Sequence, residues 1–262
     1  DTWRETLARH HYPLALANLL GELMAAAALL AASIKNEGRL IMEIRGDGAV
    51  HLATGECSRN GTMRGLVRWR EPLVEGSLAD MVGNGQLLVT TEGREPEQRY
   101  QGVVSLEAGS IGGALEHYFE RSEQLATRLW LAADRDRAAG LLLQRLPGGV
   151  DSDDDAWNRV VHLAATLTAP ELLSTDPQTL LLRLFHQERV RVQQAAPLRF
   201  GCQCSAQRVG NMLRGLGEAE VMDILDSEGR IEVTCEYCNQ RYEYGEPEAR
   251  ALFGDETPPT LH

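Results

Sequence analysis

The sequence lacks several features that point to particular kinds of protein. It has a single lysine, Lys35, among 26 basic residues, and only 5% of its residues are aromatic. Its longest uninterrupted apolar run covers residues 23–32, well short of the ~20 residues that a membrane-spanning helix needs. We therefore expect no membrane-spanning segment. No basic segment with a cleavage site precedes this run, so we expect no secretory signal and a cytoplasmic protein.

Clustered positive charge and nucleotide-binding motifs are also missing. The net charge is −12, from 38 acidic and 26 basic residues. Because phosphate contacts require clustered Lys and Arg, this charge argues against a nucleic-acid surface. The Gly-x-Gly at residues 83–85 lacks the third glycine and the following helix of a dinucleotide loop. We expect a binding protein rather than an enzyme.

Cysteine is scarce, yet four of the five cysteines lie close together in the sequence. Cys202 and Cys204 form one pair, Cys235 and Cys238 form a second, and Cys57 stands alone. In a reducing compartment, such closely spaced cysteines indicate metal ligands or redox groups more often than structural disulfides. Four thiolates are a common tetrahedral ligand set for zinc. The spacing therefore predicts a Cys₄ site for one Zn²⁺, and Cys57 is interpreted as a small buried residue.

The first part of the chain, residues 1–147, is predicted to be an α+β core domain with a mixed β-sheet. Apolar residues at helical spacing predict a long buried helix from Pro13 through Ile34, stopped by Asn36 and Gly38. A second helix is predicted at 110–124, with Ser110 as its N-cap. Turn-forming residues separate short strands, which are predicted at 39–45, 49–57, 62–70, 87–92, 99–106, 128–133 and 138–146. Segregated strands and helices are typical of the α+β class.

A change in composition at Pro147-Gly148-Gly149, followed by acidic residues 151–155, predicts the end of this domain. Residues 148–197 are predicted to be a helical linker. Its helices are expected at 157–167, from Pro170, and at 177–187, with a strand at 189–193. Helices this short are marginally stable without a partner surface. Residues 198–262 would form a small C-terminal zinc domain, which needs a staple because it has few large apolar side chains.

Zinc holds its cysteine ligands as thiolates, the form that oxidants attack. Cys235 and Cys238 are spaced to form a disulfide readily, and Cys202 and Cys204 can form one with some strain. Two disulfides would expel the ion and unfold a domain that depends on it. From the residues alone, a redox switch and a plain structural zinc ribbon both remain open.

Two cysteine-containing segments resemble the heat-shock protein 33 family, whose members are redox-regulated holdase chaperones. They are Phe200-Gly201-Cys202-Gln203-Cys204 and residues 233–242, VTCEYCNQRY. Residues 117–124, HYFERSEQ, and 140–147, GLLLQRLP, support the resemblance, which covers essentially the whole chain. One departure is that family members usually have some further residues before the position of Asp1.

This resemblance implies a mechanism. The reduced protein would hold zinc through Cys202, Cys204, Cys235 and Cys238 and would be inactive. Oxidation would form Cys202–Cys204 and Cys235–Cys238 disulfides, release the zinc and unfold the linker. The active form would bind unfolded client proteins without ATP, would tend to form a homodimer, and would hand clients to the 70 kDa heat-shock chaperone system.

Two alternatives come from other functional classes. A thiol–disulfide oxidoreductase would use Cys235 and Cys238, but this pair lacks a thioredoxin-like βαβ setting. A structural zinc ribbon would bind nucleic acid or a protein partner. From residue 198 onward there are 12 acidic residues against 6 arginines, which argues against nucleic acid.

Overall fold

The computed structural model describes residues 2–33, 38–74, 76–93, 95, 98–146 and 155–254. The chain separates into two compact units, Asp1–Gly201 and Cys202–His262. The α+β class predicted from the sequence is confirmed. The finer division into core domain, linker and zinc domain stays a prediction.

The first unit is built on a six-stranded sheet with the order β5-β4-β1-β2-β3-β8. Its first five strands are antiparallel, and β8 pairs with β3 in parallel. Strands β6 and β7 form a separate antiparallel hairpin. In chain order the elements are α1 (Thr2–Leu7), α2 (Leu14–Ser33), β1 (Arg39–Arg45), β2 (Val50–Ser58), β3 (Thr62–Trp69), α3 (Leu78–Val82), β4 (Gln86–Glu92), β5 (Arg99–Ser105), α4 (Ile111–Ser122), β6 (Thr127–Ala133), β7 (Ala138–Gln144), α5 (Ala156–Ala164), α6 (Ala169–Ser174), α7 (Pro177–Phe185) and β8 (Arg199–Phe200).

Helix α2 lies at the centre of this unit, as the buried helix predicted from the sequence. Leu16, Leu20 and Leu23 are fully buried, and each such side chain contributes about 1.5–3 kcal/mol of burial free energy. Gly55 and Gly65 face the helix, and a Cβ at Gly65 would lie 2.9 Å from Leu20 Cδ1. The two glycines therefore let α2 pack closely on β2 and β3. The predicted stop at Asn36 lies outside the described residues.

The expectation that no segment has the length and composition of a membrane span is wrong for α2. This helix has 20 residues, and an 18-residue window within it has a mean hydropathy of 1.9. The expectation failed because it counted uninterrupted apolar residues, whereas an average over the whole helix tolerates Asn18 and Glu22. The apolar surface is nevertheless used inside the protein, since 67% of this window is buried. The composition of α2 is therefore explained by its packing against the sheet, the β6–β7 hairpin and α4.

Most predicted elements are present with bounds shifted by one to three residues, and Ser110 caps α4 by accepting a hydrogen bond from the Gly113 N–H. The strand predicted at 189–193 is wrong. Val190 and Val192 alternate as in a strand, but they are 41% and 53% exposed and pair with no strand in the described residues. A segment with alternating apolar residues forms a strand only if it can pair with the edge of a sheet. At the β3 edge, Thr62 and Met63 already pair with β8.

Helices α5, α6 and α7 follow the hairpin in the predicted linker, and α6 packs against both of its strands. Thr168 and Glu171 form a capping box at the start of α6, and Asp176 caps α7. A small apolar cluster forms between helices and hairpin, with three buried members, Ala132, Leu172 and Leu180. Because these helices are only 6 to 9 residues long, their stability depends on this contact. The predicted boundary at 147–154 lies outside the described residues.

The second unit is small and contains α8 (Ala206–Leu216), α9 (Glu218–Glu228), the hairpin of β9 (Ile231–Thr234) and β10 (Arg241–Tyr244), and α10 (Glu246–Phe253). Its core has seven buried residues, Val209, Leu213, Val221, Leu225, Ile231, Tyr244 and Ala249. A core of this size gives little stability by itself.

Candidate metal centre

The first cysteine pair lies in the short connection between β8 and α8. Cys202 and Cys204 are both half-buried. Ser205, the next residue, is the N-cap of α8 and accepts a hydrogen bond from the Arg208 N–H. The start of α8 therefore fixes the backbone directly after Cys204.

The second pair lies in the turn of the β9–β10 hairpin. The Cys235 N–H donates to the Gln240 carbonyl at 2.9 Å, and the Asn239 N–H donates to the Cys235 carbonyl at 2.8 Å. Asn239 has φ 57°, a left-handed conformation that asparagine tolerates better than most residues. This tight turn directs Cys235 and Cys238 toward one point.

The fold brings all four predicted cysteines together. Their sulfur atoms lie within 4.8 Å of one another. The shortest approaches join the two pairs, with 3.5 Å between Cys202 Sγ and Cys235 Sγ and 3.3 Å between Cys204 Sγ and Cys238 Sγ. In a tetrahedral zinc site with Zn–S bonds of about 2.3 Å, the sulfurs would be about 3.8 Å apart. The four cysteines can therefore hold a metal ion, and their donor type and spacing fit zinc.

The four thiols are not electrostatically equivalent. Burial opposes ionisation of Cys202, but hydrogen bonds from the Cys204 backbone and neighbouring thiols outweigh it and lower the pKa of Cys202 to about 7. Burial raises the pKa of Cys235 and of Cys238. Of these three thiols, Cys202 ionises at the lowest pH, and a cation would be needed to hold the whole set as thiolates.

Tyr242, on β10, contacts the cysteine cluster, and the cysteine spacing did not predict this contact. Its hydroxyl is hydrogen-bonded to Cys204, and this bond raises the pKa of Tyr242. The sequence placed Tyr242 near the site only as part of the segment after Cys238. The sequence offered no reason to predict a site contact for Tyr242, because a tyrosine that alternates with polar residues along a strand usually packs against the core.

Two arginines that flank the cysteines in sequence are engaged elsewhere. Arg208 Nη1 donates to Gln203 Oε1 at 3.3 Å, and Arg241 forms an ion pair with Glu232 at 3.0 Å. These contacts agree with arginines that balance nearby acidic and polar groups.

Cys57 lies outside the cluster, in strand β2 of the first unit. It is 2% exposed, and its thiol donates weakly to the Ser58 carbonyl at 3.5 Å. Burial raises the pKa of Cys57 to about 11. Its interpretation as a small buried residue is therefore supported by its surroundings.

Together these features define a class: a two-unit α+β protein whose small C-terminal unit carries four converging cysteines that could hold a metal ion. A family model described as "Hsp33 protein" matches residues 1–245. The chain belongs to the Hsp33 family, as the sequence resemblance indicated.

Relatives support this assignment over nearly the whole chain. A 33 kDa chaperonin of Methylobacillus flagellatus is 44% identical over 98% of this chain and 88% of its own length. A 33 kDa chaperonin of Chromobacterium violaceum is 46% identical over 96% of this chain and 86% of its own. The crystal structure of the 33 kDa chaperonin from Thermotoga maritima has a TM-score of 0.82 at 25% identity, covering 96% of this chain and 89% of that one. These names indicate a chaperone.

Proposed function

We propose that this protein is a redox-regulated holdase chaperone that is held inactive, in its reduced form, by one Zn²⁺. Cys202, Cys204, Cys235 and Cys238 would hold the ion as four thiolates. The observation that carries the proposal is the convergence of these four sulfurs to within 4.8 Å in a unit with a very small core. The chaperone names of relatives at 44–46% identity support the activity itself.

Metal binding is expected to supply much of the stability of the second unit. Structural zinc contributes roughly 10–16 kcal/mol of apparent binding free energy in small zinc domains. The seven-residue core of this unit is too small to replace such a contribution. Loss of the ion would therefore loosen the whole unit.

Oxidation would remove the ligands in pairs. We propose disulfides between Cys202 and Cys204 and between Cys235 and Cys238, as the family resemblance implies. Each disulfide forms by loss of two electrons from two thiolates. One peroxide accepts these two electrons, and with two protons its O–O bond is cleaved to give two waters. Two peroxides therefore consume all four ligands, and Zn²⁺ leaves for a chelator or the solvent.

The predicted linker would open when the protein is activated. In the described residues, its contact with the β6–β7 hairpin has three buried side chains, and the other apolar side chains of this cluster are only partly buried. Among the described residues, Arg137 donates to the Leu173 carbonyl of the linker at 2.8 Å, whereas the pair of Arg183 and Glu171 at 3.1 Å joins α7 to α6 within the linker itself. Opening would expose apolar residues of helices and hairpin, and this surface would bind unfolded clients.

The remaining parts of the proposal follow from such a mechanism. Thiol oxidation switches client affinity, so the cycle needs no ATP. The oxidised chain would form a homodimer through newly exposed apolar surface, and reduction would let clients pass to the 70 kDa heat-shock chaperone system. The protein would act in the cytoplasm, where the thiols start reduced.

The decisive experiment measures zinc, free thiols and chaperone activity together. The full chain is compared reduced and zinc-loaded, and after peroxide treatment, for suppression of aggregation of a chemically unfolded client. We expect oxidation to release one zinc, to consume four thiols and to activate suppression. Peptide mapping should find the two disulfides named above.

Cys57→Ser is the matched control, because it removes a cysteine that is not a ligand and should leave zinc release and activation unchanged. Equal suppression by the reduced and oxidised proteins would refute the switch. Turnover of a disulfide substrate by sub-stoichiometric protein would indicate the oxidoreductase instead.

A further inference from the structure

Glu22 is an acidic residue in the middle of the most apolar helix of the protein. It is half-buried between Gly21 and Leu23, which are both buried. Two clefts meet at its side chain. One, of about 280 Å³, lies between α2, α4, β6 and the start of α6, and the other, of about 370 Å³, lies between α2, α3 and α4. Glu22 and Ser110 line both clefts.

Among the described residues, no cationic side chain lines either cleft. The other polar side chains in their walls, Asn18, Ser110 and Thr168, are neutral. Glu22 has no hydrogen bond or ion pair to any described residue, and Asn18 Oδ1 is buried without a partner in that part of the chain. Of the sheet residues, Gly55 and Gly65 face α2, and two titratable residues of β2, His51 and Glu56, line neither cleft. Burial therefore acts on Glu22 without compensation, and it raises the pKa of this carboxyl to about 7.

The charged groups of the surrounding elements do not reach these clefts. Asp80 on α3 is bonded to Ser77, and Glu171 on α6 is bonded to Thr168 and Arg183. On α4, Glu116 accepts from the Leu129 N–H, and Arg128 on β6 lies 3.9 Å from it. His117 points into a different cleft, beside β5, and β7 contains no charged residue.

The beginning of α6 forms one wall of the smaller cleft beside Glu22. Leu167, Thr168, Ala169 and Leu172 line it together with Trp130 of the hairpin. Leu172 is also one of the three buried residues that hold the predicted linker. When α6 leaves the hairpin, this cleft opens to water, so the contact that fixes the linker and the contact that desolvates Glu22 are lost together.

We propose that Glu22 is a proton-sensitive control of linker docking: its neutral carboxyl allows α6 to dock beside the cleft, and its ionised form favours release. The regulatory meaning rests on the proposed function, which takes linker release as the activating event. The coupling between Glu22 protonation and α6 docking does not rest on the proposed function, because it needs neither oxidation nor a client.

The direction follows from linkage. The docked state holds the Glu22 proton up to a pKa of about 7, whereas an exposed glutamate loses it near its ordinary pKa of about 4.3. Opening therefore releases a proton between these two values. Docking is strongest at low pH and weakens as the pH rises through this range. Once the pH is well above the docked-state pKa of about 7, docking weakens no further. Between pH 5.5 and 8.5, this coupling alone raises the opening constant by about 30-fold if opening fully solvates the carboxyl.

The test uses the reduced, zinc-loaded full chain without a client. Trypsin cleavage after Arg159 and Arg183, within α5 and α7, reports linker opening. The ratio of the wild-type rate to the Glu22→Gln rate is measured at each pH, so that the pH dependence of the protease cancels. This ratio should rise by about 30-fold from pH 5.5 to 8.5. As a control, the ratio of the wild-type cleavage rate to the Glu120→Gln rate should stay constant over the same pH range, because Glu120 is an exposed glutamate of α4.

A flat ratio for Glu22→Gln would overturn the proposal. If that variant does not fold, a carboxyl titration of wild-type Glu22 by ¹³C NMR decides instead. Its pKa should be near 7 in the docked protein and should fall toward its ordinary value of about 4.3 when the linker is released with urea. An unchanged pKa on release would also overturn the coupling. Neither readout involves thiol oxidation, so failure of this control is distinguishable from failure of the redox switch.

Discussion

Truncation of Leu172 is expected to open the linker without oxidation. Leu172 is 7% exposed and packs with Ala132 and Leu180 in the cluster between helices and hairpin. Buried Leu→Ala changes cost about 2–5 kcal/mol. This cluster is small and lies near the surface, where neighbours can relax, so we take about 2–3 kcal/mol. Because opening abolishes this contact, the whole cost falls on the docked state, and the opening constant should rise by about 30- to 150-fold.

Proteolysis and chaperone assays of the reduced, zinc-loaded protein measure this effect. Cleavage after Arg183 requires local opening of α7, so its rate follows the open population when opening is fast relative to cleavage. Leu172→Ala should be cleaved faster by the factor given above, and it should suppress client aggregation before any peroxide is added. Its zinc content should stay unchanged, because the substitution lies outside the second unit.

The matched control is Leu182→Ala, the same chemical change on α7 at a side chain that is 64% exposed. It should leave both cleavage and activity close to wild type. The reasoning is refuted if Leu172→Ala is cleaved no faster than Leu182→Ala. Faster cleavage without suppression of aggregation would instead separate linker opening from client binding.

Three further predictions follow from the remaining cysteines and from a buried charge. Cys202→Ser removes one of four converging sulfurs and should lower zinc content, measured by metal analysis, from about one per chain toward zero. Cys57, whose pKa burial raises to about 11, should resist alkylation at pH 8 in the folded protein and react once urea unfolds it, as mass spectrometry would show. Glu56→Gln removes a carboxylate bonded to Arg64 at 2.8 Å, so urea unfolding of the first unit should show a loss of about 1–3 kcal/mol; an unchanged midpoint would count against that ion pair.

The parts of the fold that local chemistry determines could be predicted from the sequence. The Gly46-Asp47-Gly48 turn separates β1 from β2, and Ser110 caps α4. The pairing of β8 could not be predicted, because a two-residue strand carries no periodicity. The segment at 189–193 shows the opposite case, a strand pattern without an edge to pair with.

At the candidate site, residue type and spacing predicted the ligands but not their surroundings. Four cysteines in two close pairs indicated the cluster that the structure contains. The Tyr242–Cys204 contact and the depressed pKa of Cys202 depend on three-dimensional placement. The same holds for Glu22, which the sequence presents only as an interruption of an apolar helix.

The linker is anchored to the first unit at both ends, and this anchoring limits what its release costs. Before the linker, β7 ends at Gln144, which pairs with Thr127. After it, the Arg199 and Gly201 N–H groups donate to the Gly61 and Met63 carbonyls, both at 2.9 Å, and Arg9 stacks on Phe200 at 4.0 Å. None of these contacts involves the linker helices.

Release of α5–α7 is therefore the opening of a loop whose ends stay in place, and re-docking requires only that the helices order again on the hairpin. Ordering costs about 1–2 kcal/mol per residue, and the apolar cluster between helices and hairpin, together with the helical hydrogen bonds, must offset it. The free-energy cost of ordering the helices and the free energy gained from these contacts are of similar size, so the net free energy of docking is small. For that reason a change of about 2–3 kcal/mol, as expected for truncation of Leu172, is enough to decide whether the linker is docked.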